Sequence, residues 1–209
     1  MNALRHEDHT TVVVLSGGRA QRLGERKALV DLEGRSALRI LLDGLPAHLP
    51  IVVVGDGAPD VEREVRILRE DPPFAGPLHA LSAAVHGHVT TASFIALAVD
   101  LPLATRHTLQ LLPLLGGGGE QPAQAVIPVD PSGRYQPLAA AYDTSAVRDA
   151  LISIGSTVNQ PMSLLIDQLH VLAVPIGPGD ATIDDYRDID TPEDLALTRT
   201  RLRRIRPST

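Results

Sequence analysis

The sequence predicts an α/β protein with a doubly wound, mostly parallel sheet flanked by helices. Short runs of apolar, β-branched residues recur along the chain, beginning with TVVVL at 11–15, and such runs are typical of strands buried on both faces. Segments with helical periodicity lie between them, which favours βαβ units. A length of 209 residues suits one domain. We therefore expect a single domain over 1–209, with 1–10 flexible and a C-terminal helix and tail at 196–209.

The predicted elements follow one another in a regular order. The first strands are 11–15, Ile51–Val54, Phe94–Val99 and Ala125–Pro128. The helical patterns among them are Ser36–Leu45, Asp60–Arg66, Leu78–His86 and Thr105–Leu115. The alternation continues less regularly through Leu138–Tyr142, Ser145–Ile154, Met162–Gln168 and Val171–Val174. A last helix is expected over Thr191–Arg206, because Thr-Pro-Glu-Asp supplies an N-cap, a proline and acidic residues in the first turn.

The composition excludes several classes of protein. The chain has no cysteine, which removes disulfide scaffolds, thiolate metal sites and cysteine nucleophiles. Its first ten residues do not resemble a signal peptide, and no apolar run approaches the ~20 residues that span a bilayer. We therefore expect a cytoplasmic protein without a membrane partner. A net charge of −6, with only three Tyr and two Phe, argues against nucleic-acid binding.

A glycine-rich segment, VVVLSGGRAQRLGERKAL at 12–29, is the first candidate site. Gly17 and Gly18 directly follow a predicted strand, where they allow a tight turn and expose amide groups to an anion. Cations then crowd a chain that is acidic overall: Arg19, Arg22, Arg26 and Lys27. The spacing fits neither a Walker A loop nor G-x-G-x-x-G. We favour phosphate binding here, and the alternative is an ordinary strand–helix turn with solvated arginines.

Lys27 is the only lysine among the 19 Lys and Arg residues. The arginine bias itself follows most simply from composition and says nothing about function. Lysine, however, is a compact point charge that the planar guanidinium group does not imitate. The position of the single lysine, at the end of the glycine-rich segment, is therefore a separate observation.

Asp100 ends an otherwise apolar predicted strand in FIALAVDLPL at 94–103. Open α/β sheets bind ligands at the carboxyl ends of their strands, so a carboxylate at this position favours a binding or metal site. The alternative is an aspartate that caps a helix or forms a turn.

The segment LSGGRAQRLGERKAL resembles the L-A-G-G-x-x-x-R-M-G-x-x-K signature of nucleotidyltransferases with a Rossmann-like α/β fold, and VDLEGRSAL is similar to the stretch that follows it. The similarity is greatest to the molybdenum cofactor guanylyltransferases and extends from Val12 to Leu195. It implies that Lys27 meets the nucleotide phosphates and acts in catalysis with Arg22 and Asp100. It also implies a nucleotide-binding loop of Leu15, Ser16, Gly17 and Gly18. Ser16 departs from the usual Ala, and Glu25-Arg26 departs from the usual Gly or Asp.

The same resemblance assigns three further positions. Asp71 matches an acid that contacts the nucleotide, and a carboxylate can accept from both N1–H and N2–H₂ of guanine, a pair that adenine lacks. The alternative for this proline-rich stretch is a turn that merely redirects the chain. Asp100 matches the acid that holds Mg²⁺, which typically takes one or two carboxylates with phosphates and waters. Gly55 lies where relatives have a polar nucleotide contact and offers only its backbone.

The resemblance also implies two regions that could contact the acceptor substrate. The family often has an Asn pair before Thr-Pro-Glu, where this chain has Asp188 and Asp190. One of these acids could reach a second metal or the acceptor, although the start of a helix explains the stretch from Thr191 onward equally well. Three residues precede a family-like P-L-A-A-A-Y stretch that borders the acceptor pocket: Arg134, Tyr135 and Gln136.

The resemblance implies an enzyme that transfers GMP from GTP to molybdopterin-bound molybdenum cofactor with Mg²⁺ and releases pyrophosphate. Its partners would be GTP, the molybdopterin acceptor, and the proteins that insert the cofactor or the molybdoenzymes that receive it. Two alternatives stay open. A cytidylyltransferase, or a nucleotidyltransferase for another phosphorylated acceptor, would share the glycine loop and the lysine. A catalytically silent nucleotide-binding homologue would keep the fold without the reaction.

Overall fold

A computed structural model describes residues 10–17, 19–20, 25–58, 60–117, 121–177 and 183–205. Its strands are β1 (Thr10–Leu15), β2 (Arg19–Ala20), β3 (Glu25–Arg26), β4 (Ile51–Val54), β5 (Arg66–Leu68), β6 (Ser93–Ala98), β7 (Ala125–Val129), β8 (Ala139–Asp143) and β9 (Val171–Pro175). Its α-helices are α1 (Ala37–Asp43), α2 (Pro77–Gly87), α3 (Thr105–Leu109), α4 (Thr144–Ile154), α5 (Ser163–Ile166) and α6 (Pro192–Ile205). Short 3₁₀ turns occur at Lys27–Leu29, Leu112–Leu114 and Ile183–Tyr186.

Seven of these strands form one sheet in the order β5-β4-β1-β6-β8-β7-β9, while β2 and β3 pair separately. Strand β8 is antiparallel to both of its neighbours, and the other pairs within the sheet are parallel. The chain moves from β1 outward to β4 and β5, and then returns to β6 on the other side of β1. This reversal creates a crevice at the carboxyl ends of β1 and β6, where doubly wound sheets bind their ligands.

Both faces of the sheet are covered by helices, as the apolar strands predict. In β1, Val12 and Val14 belong to one core cluster, together with Leu38 and Leu41 of α1. The alternate residue Val13 lies in the opposite cluster, because successive side chains of a strand point to opposite faces. That second cluster also contains apolar residues of three helices, among them Leu78 and Leu81 of α2, Val147 and Leu151 of α4, and Leu165 of α5. The predicted doubly wound, mostly parallel sheet is confirmed.

Side-chain caps set the starts of several helices. The Ser36 hydroxyl accepts a hydrogen bond from the Arg39 amide at 3.0 Å, which begins α1. Thr191 and Asp194 form a reciprocal cap at the start of α6, where the Asp194 carboxylate accepts from the Thr191 amide at 3.0 Å and the Thr191 hydroxyl accepts from the Asp194 amide. The predicted N-cap at Thr191 is therefore confirmed.

One predicted helix is wrong in the structure, and a second is confirmed only in its first half. Asp60–Arg66 is irregular apart from a turn at Asp60 and a bend at Arg63, and its last residue opens strand β5. Tertiary hydrogen bonds override the weak helical pattern, since the Asp60 carboxylate accepts from the Ser36 amide at 2.8 Å and Arg63 donates to the Leu49 carbonyl at 2.9 Å. The predicted helix Thr105–Leu115 is broken after Leu109, and Pro113 lies in the 3₁₀ turn that follows, because proline lacks the amide that an α-helix needs.

Two other expectations fall partly outside the described residues. Residues 1–9 of the segment expected to be flexible are not described, and Thr10 already belongs to β1. Within the part of the chain that the structure covers, no helix combines the length and the apolar character needed to cross a membrane.

Candidate functional site

A pocket of about 380 Å³ lies at the crevice between the carboxyl ends of β1 and β6. Strand register explains its position, because Leu15 at the end of β1 pairs with Ala98 at the end of β6. The segments that leave both strands therefore start side by side. The lining residues are Leu15, Gly17, Lys27, Glu70, Phe74, Gly76, Pro77, Ala80, Ala98, Val99, Asp100, Leu101, Arg134, Tyr135, Gln136, Pro137, Leu138 and Asp188.

The loop that follows β1 is tied to the end of β4. The Ser16 amide donates to the Val54 carbonyl at 2.9 Å, and its hydroxyl donates to the Asp56 carbonyl at 2.5 Å. Ser16 is fully buried, so its hydroxyl satisfies a main-chain acceptor while the next residue, Gly17, reaches the pocket. The departure from alanine at this position thus has a structural role. Gly18 and Arg22, both predicted site residues, lie outside the described residues.

Gly55 packs directly behind this loop and is not one of the residues that line the pocket. Its φ of +117° belongs to glycine conformations. A Cβ atom at this position would lie 2.5 Å from the Gly17 amide nitrogen and 2.8 Å from its Cα. Gly55 therefore approaches the Gly17 backbone closely, while the nucleotide contact that the resemblance implies for the Gly55 backbone stays a prediction.

We expect Gly55→Ala to lower both the melting temperature and nucleotide affinity. The added methyl group would clash with Gly17 and force an L-residue into a strained conformation, at a cost of at least about 1 kcal/mol. Gly87→Ala is the matched control, because a Cβ there would have no heavy atom within 4 Å and the residue lies in helix α2. Thermal unfolding with and without nucleotide measures both effects. Equal melting temperatures for the two variants would contradict the close-packing role.

Lys27 lies at the centre of a carboxylate cluster. Its Nζ donates to Asp100 Oδ2 at 2.5 Å and to Asp190 Oδ1 at 2.7 Å. The Lys27 and Asp100 side chains are only 18% and 17% exposed, whereas that of Asp190 is 50% exposed. Burial by itself lowers the pKa of the Lys27 ammonium, but the charges and hydrogen bonds of Asp100 and Asp190 outweigh it and leave the pKa raised. Lys27 is therefore a firmly protonated cation at the pocket.

Asp188 adds a third carboxylate to this wall of the pocket. The Ile189 amide donates to the Asp100 carbonyl at 3.1 Å, and the buried Ile189 side chain belongs to the core. These contacts hold the 188–190 segment against the end of β6. Burial raises the pKa of the Asp188 carboxyl above its usual 3.8, and the charges of Asp100 and Asp190 raise it further. The carboxylates that line the pocket, Glu70, Asp100 and Asp188, outnumber its two lining cations, Lys27 and Arg134.

We expect Asp188→Asn to stabilise the nucleotide-free protein at neutral pH, with divalent cations chelated. A raised native pKa means that the native state binds more protons than the unfolded state between the two pKa values, so stability falls as pH rises through that window. Removing the charge should therefore increase the free energy of unfolding. The increase should be complete above the raised pKa and absent below about pH 3.8. Denaturant unfolding at neutral and acidic pH measures this gain. Asp149→Asn, at an exposed position of α4, is the control, and a pH-independent gain would contradict the account.

The adjacent acids Glu70 and Asp71 differ in their position relative to the pocket. Asp71 is exposed and is not one of the pocket-lining residues, and its carbonyl accepts a hydrogen bond from His79 Nε2 at 2.9 Å. Glu70 is 9% exposed and lines the pocket. The inward position of Glu70 is not predictable from the sequence, because adjacent acids after a short edge strand give no signal of which one turns inward. The predicted role of Asp71 is untested by this geometry.

Arg134, Tyr135 and Gln136 all line the pocket. They lie in the connection between β7 and β8, so the antiparallel strand β8 brings them to the crevice. An isolated β-bridge between Val129 and Tyr135 fixes this connection to the end of β7. These three residues, which the resemblance places near the acceptor pocket, therefore line the same pocket as Lys27 and Asp100.

Comparison with known proteins identifies the family and the fold. The MobA-like NTP transferase domain family matches residues 12–168. A probable molybdenum cofactor guanylyltransferase of Mycobacterium tuberculosis is 31% identical over 172 residues, which cover 78% of this chain and 81% of that protein. Another, from Methanothermobacter thermautotrophicus, is 27% identical over 195 residues, covering 90% and 98%. The crystal structure of molybdopterin-guanine dinucleotide biosynthesis protein A from Archaeoglobus fulgidus superimposes with a TM-score of 0.70 at 22% identity, covering 93% and 100%.

The crevice geometry and these matches place the protein among the nucleotidyltransferases, with the glycine loop and Lys27 at the expected end of the sheet. Within that class, the chain belongs to the MobA-like NTP transferase family, which matches well over half of its length. The resemblance predicted from the glycine-rich segment is confirmed.

Proposed function

We propose that this protein transfers GMP from GTP to molybdopterin-bound molybdenum cofactor and releases pyrophosphate. The names of the curated relatives support this choice of donor and acceptor. The observation that carries the proposal is the Lys27–Asp100 pair at the pocket, which Gly17 of the loop after β1 also lines. In this proposal the lysine binds the triphosphate of the nucleotide and the acid beside it binds a metal ion.

In the proposed reaction, an oxygen of the acceptor phosphate attacks the α-phosphorus of GTP. A new P–O bond forms, the bond from the α-phosphorus to the α,β-bridging oxygen breaks, and pyrophosphate leaves with the electron pair. A phosphate monoester is largely ionised at neutral pH, since its second pKa is about 6. The attack therefore needs no general base.

Lys27 is suited to stabilise the charge that develops on the phosphates. Within the described residues, Asp100 and Asp190 accept two of its three N–H donors, which leaves one for a phosphate oxygen. The two carboxylates also fix the position of the ammonium before the substrate binds, so little reorganisation is needed during the reaction. The Gly17 amide, together with the undescribed Gly18 and Arg22, would complete the phosphate contacts.

Mg²⁺ is the cofactor we propose, with Asp100 as its protein ligand. Among the residues that the structure describes, no group of three or more His, Cys, Asp and Glu is arranged to hold a metal ion. Mg²⁺ nevertheless binds commonly through one or two carboxylates with substrate phosphates and waters, and the excess negative charge around Asp100 and Asp188 suits a cation. When bound, the ion would neutralise phosphate charge.

Nucleotide selectivity tests the proposed function. With Mg²⁺ present, GTP should raise the melting temperature more than ATP or CTP does. A response to CTP alone would favour the cytidylyltransferase alternative. Binding of GTP without pyrophosphate release in the presence of a molybdopterin acceptor would favour the silent homologue.

A further inference from the structure

The loop between β5 and α2 holds the ring of Phe74 at the rim of the pocket. Phe74 is 59% exposed, although it is one of only two phenylalanines in the chain. It nevertheless lines the pocket together with Glu70 and Gly76. Half-exposed aromatic rings next to a ligand pocket are suited to contact a flat ligand ring.

This loop is anchored, so the position of Phe74 is fixed by the fold. Hydrogen bonds hold it at three points: from the Phe74 amide to Glu70 Oε1 at 2.9 Å, from the Asn159 amide to the Ala75 carbonyl at 2.7 Å, and from His79 Nε2 to the Asp71 carbonyl at 2.9 Å. The first of these bonds uses a nearly buried carboxylate, which makes it stronger than a bond between neutral groups.

The backbone of Phe74 has an unfavourable conformation. Its φ is +63°, in the left-handed region that glycine adopts readily and bulky residues rarely do. Because the Phe74 side chain is mostly exposed, burial of its ring offsets little of this conformational cost. Strain of this kind often persists at ligand-binding positions, where the surrounding structure enforces it.

We propose that the Phe74 ring stacks on the purine base of the bound nucleotide, while its amide is held by Glu70. This inference rests on the proposed function, in that the pocket receives a purine nucleoside triphosphate. The phosphate-binding end of the pocket, at Lys27 and Gly17, comes from different elements than the loop that carries Phe74. Base and phosphates therefore contact separate parts of the protein, and Phe74 contributes to the affinity for the base alone.

The test compares Phe74→Gly with the unchanged protein, using GTP and inorganic tripolyphosphate as probes in calorimetric titrations with Mg²⁺. Stacking of a base on an aromatic ring predicts a loss of GTP affinity of about 5- to 100-fold. Tripolyphosphate affinity should stay the same, because that probe has no base. The melting temperature should be about unchanged, since relief of the left-handed strain offsets the greater unfolded-state entropy of glycine. Ile152→Ala, at a 71% exposed position on α4, is the control and should change none of these values.

A second variant gives a direct optical readout. The chain contains no tryptophan, so Phe74→Trp introduces a single indole at the proposed stacking position. Saturable quenching of its fluorescence by GTP, with none by tripolyphosphate, is expected. Unchanged GTP affinity in Phe74→Gly, or equal losses for both probes, would overturn the stacking role while leaving the proposed function intact. Failure of the unchanged protein to bind GTP would instead overturn the proposed function, and this inference with it.

Discussion

Lys27→Ala is expected to lower turnover at least ~10²-fold at saturating GTP and Mg²⁺, by analogy with the loss of one preorganised donor. The ammonium is held at the pocket by two carboxylates and its side chain is only 18% exposed, so its removal leaves Asp100 and Asp190 without this counter-charge. A factor of 10² corresponds to about 2.7 kcal/mol of lost transition-state stabilisation. Initial rates of pyrophosphate release measure the effect.

The neighbouring cation supplies a matched control for this prediction. Arg26 is 63% exposed and lies 3.5 Å from Asp56, and an exposed ion pair of this kind contributes at most about 1 kcal/mol. Arg26→Ala should therefore change turnover only a few-fold. Lys27→Arg should also be strongly impaired, because the guanidinium fork cannot reproduce a point charge between Asp100 and Asp190. Near-normal turnover of Lys27→Ala would remove Lys27 from the mechanism.

Substitution of the acid proposed to contact the guanine edge should give the second large effect. We expect Glu70→Gln to reduce the preference for GTP over ATP more than Asp71→Asn does, because the Glu70 side chain is nearly buried in the pocket wall and Asp71 is exposed. With adenine, a buried carboxylate at this position would lose the two bonds from N1–H and N2–H₂ and keep only the one from the Phe74 amide, and a mismatch of this kind can be worth factors of about 10⁴ in selectivity. Glutamine retains an oxygen that can accept from the Phe74 amide, so the loop should stay in place.

Competition between GTP, ITP and ATP measures this effect, since inosine keeps N1–H and lacks the exocyclic amine. Unchanged selectivity in Glu70→Gln, combined with a loss of selectivity in Asp71→Asn, would assign the base contact to Asp71, as the family resemblance implies. The reverse result would assign it to Glu70. If both variants keep the GTP-over-ATP selectivity of the unchanged protein, the base is recognised by other groups.

The sequence predicts the central part of this fold well. The strands β1, β4 and β6 are recognisable because they are buried on both faces and therefore uniformly apolar, and the resulting topology puts Gly17 and Asp100 at the same crevice. The segment Asp60–Arg66 is mispredicted, because hydrogen bonds from residues distant in the chain decide its conformation. Local patterns contain no information about those partners.

The candidate site likewise contains residues that the sequence predicts and residues that it does not. Lys27 and Asp100 are predictable since each stands at the end of a strongly patterned segment, and the structure brings them into direct contact. The inward turn of Glu70 and the left-handed conformation of Phe74 depend on how the loop before α2 is anchored. The link between Lys27 and Asp190 likewise depends on the packing of the 188–190 segment against β6, which residue spacing does not reveal.

Pyrophosphate release from GTP, in the presence of Mg²⁺ and a molybdopterin acceptor, is the decisive measurement of the proposed reaction. We expect acceptor-dependent release with GTP, little with CTP or ATP, and a guanine dinucleotide form of the acceptor as the product. Tight GTP binding without release, or release with CTP alone, would contradict the proposed reaction.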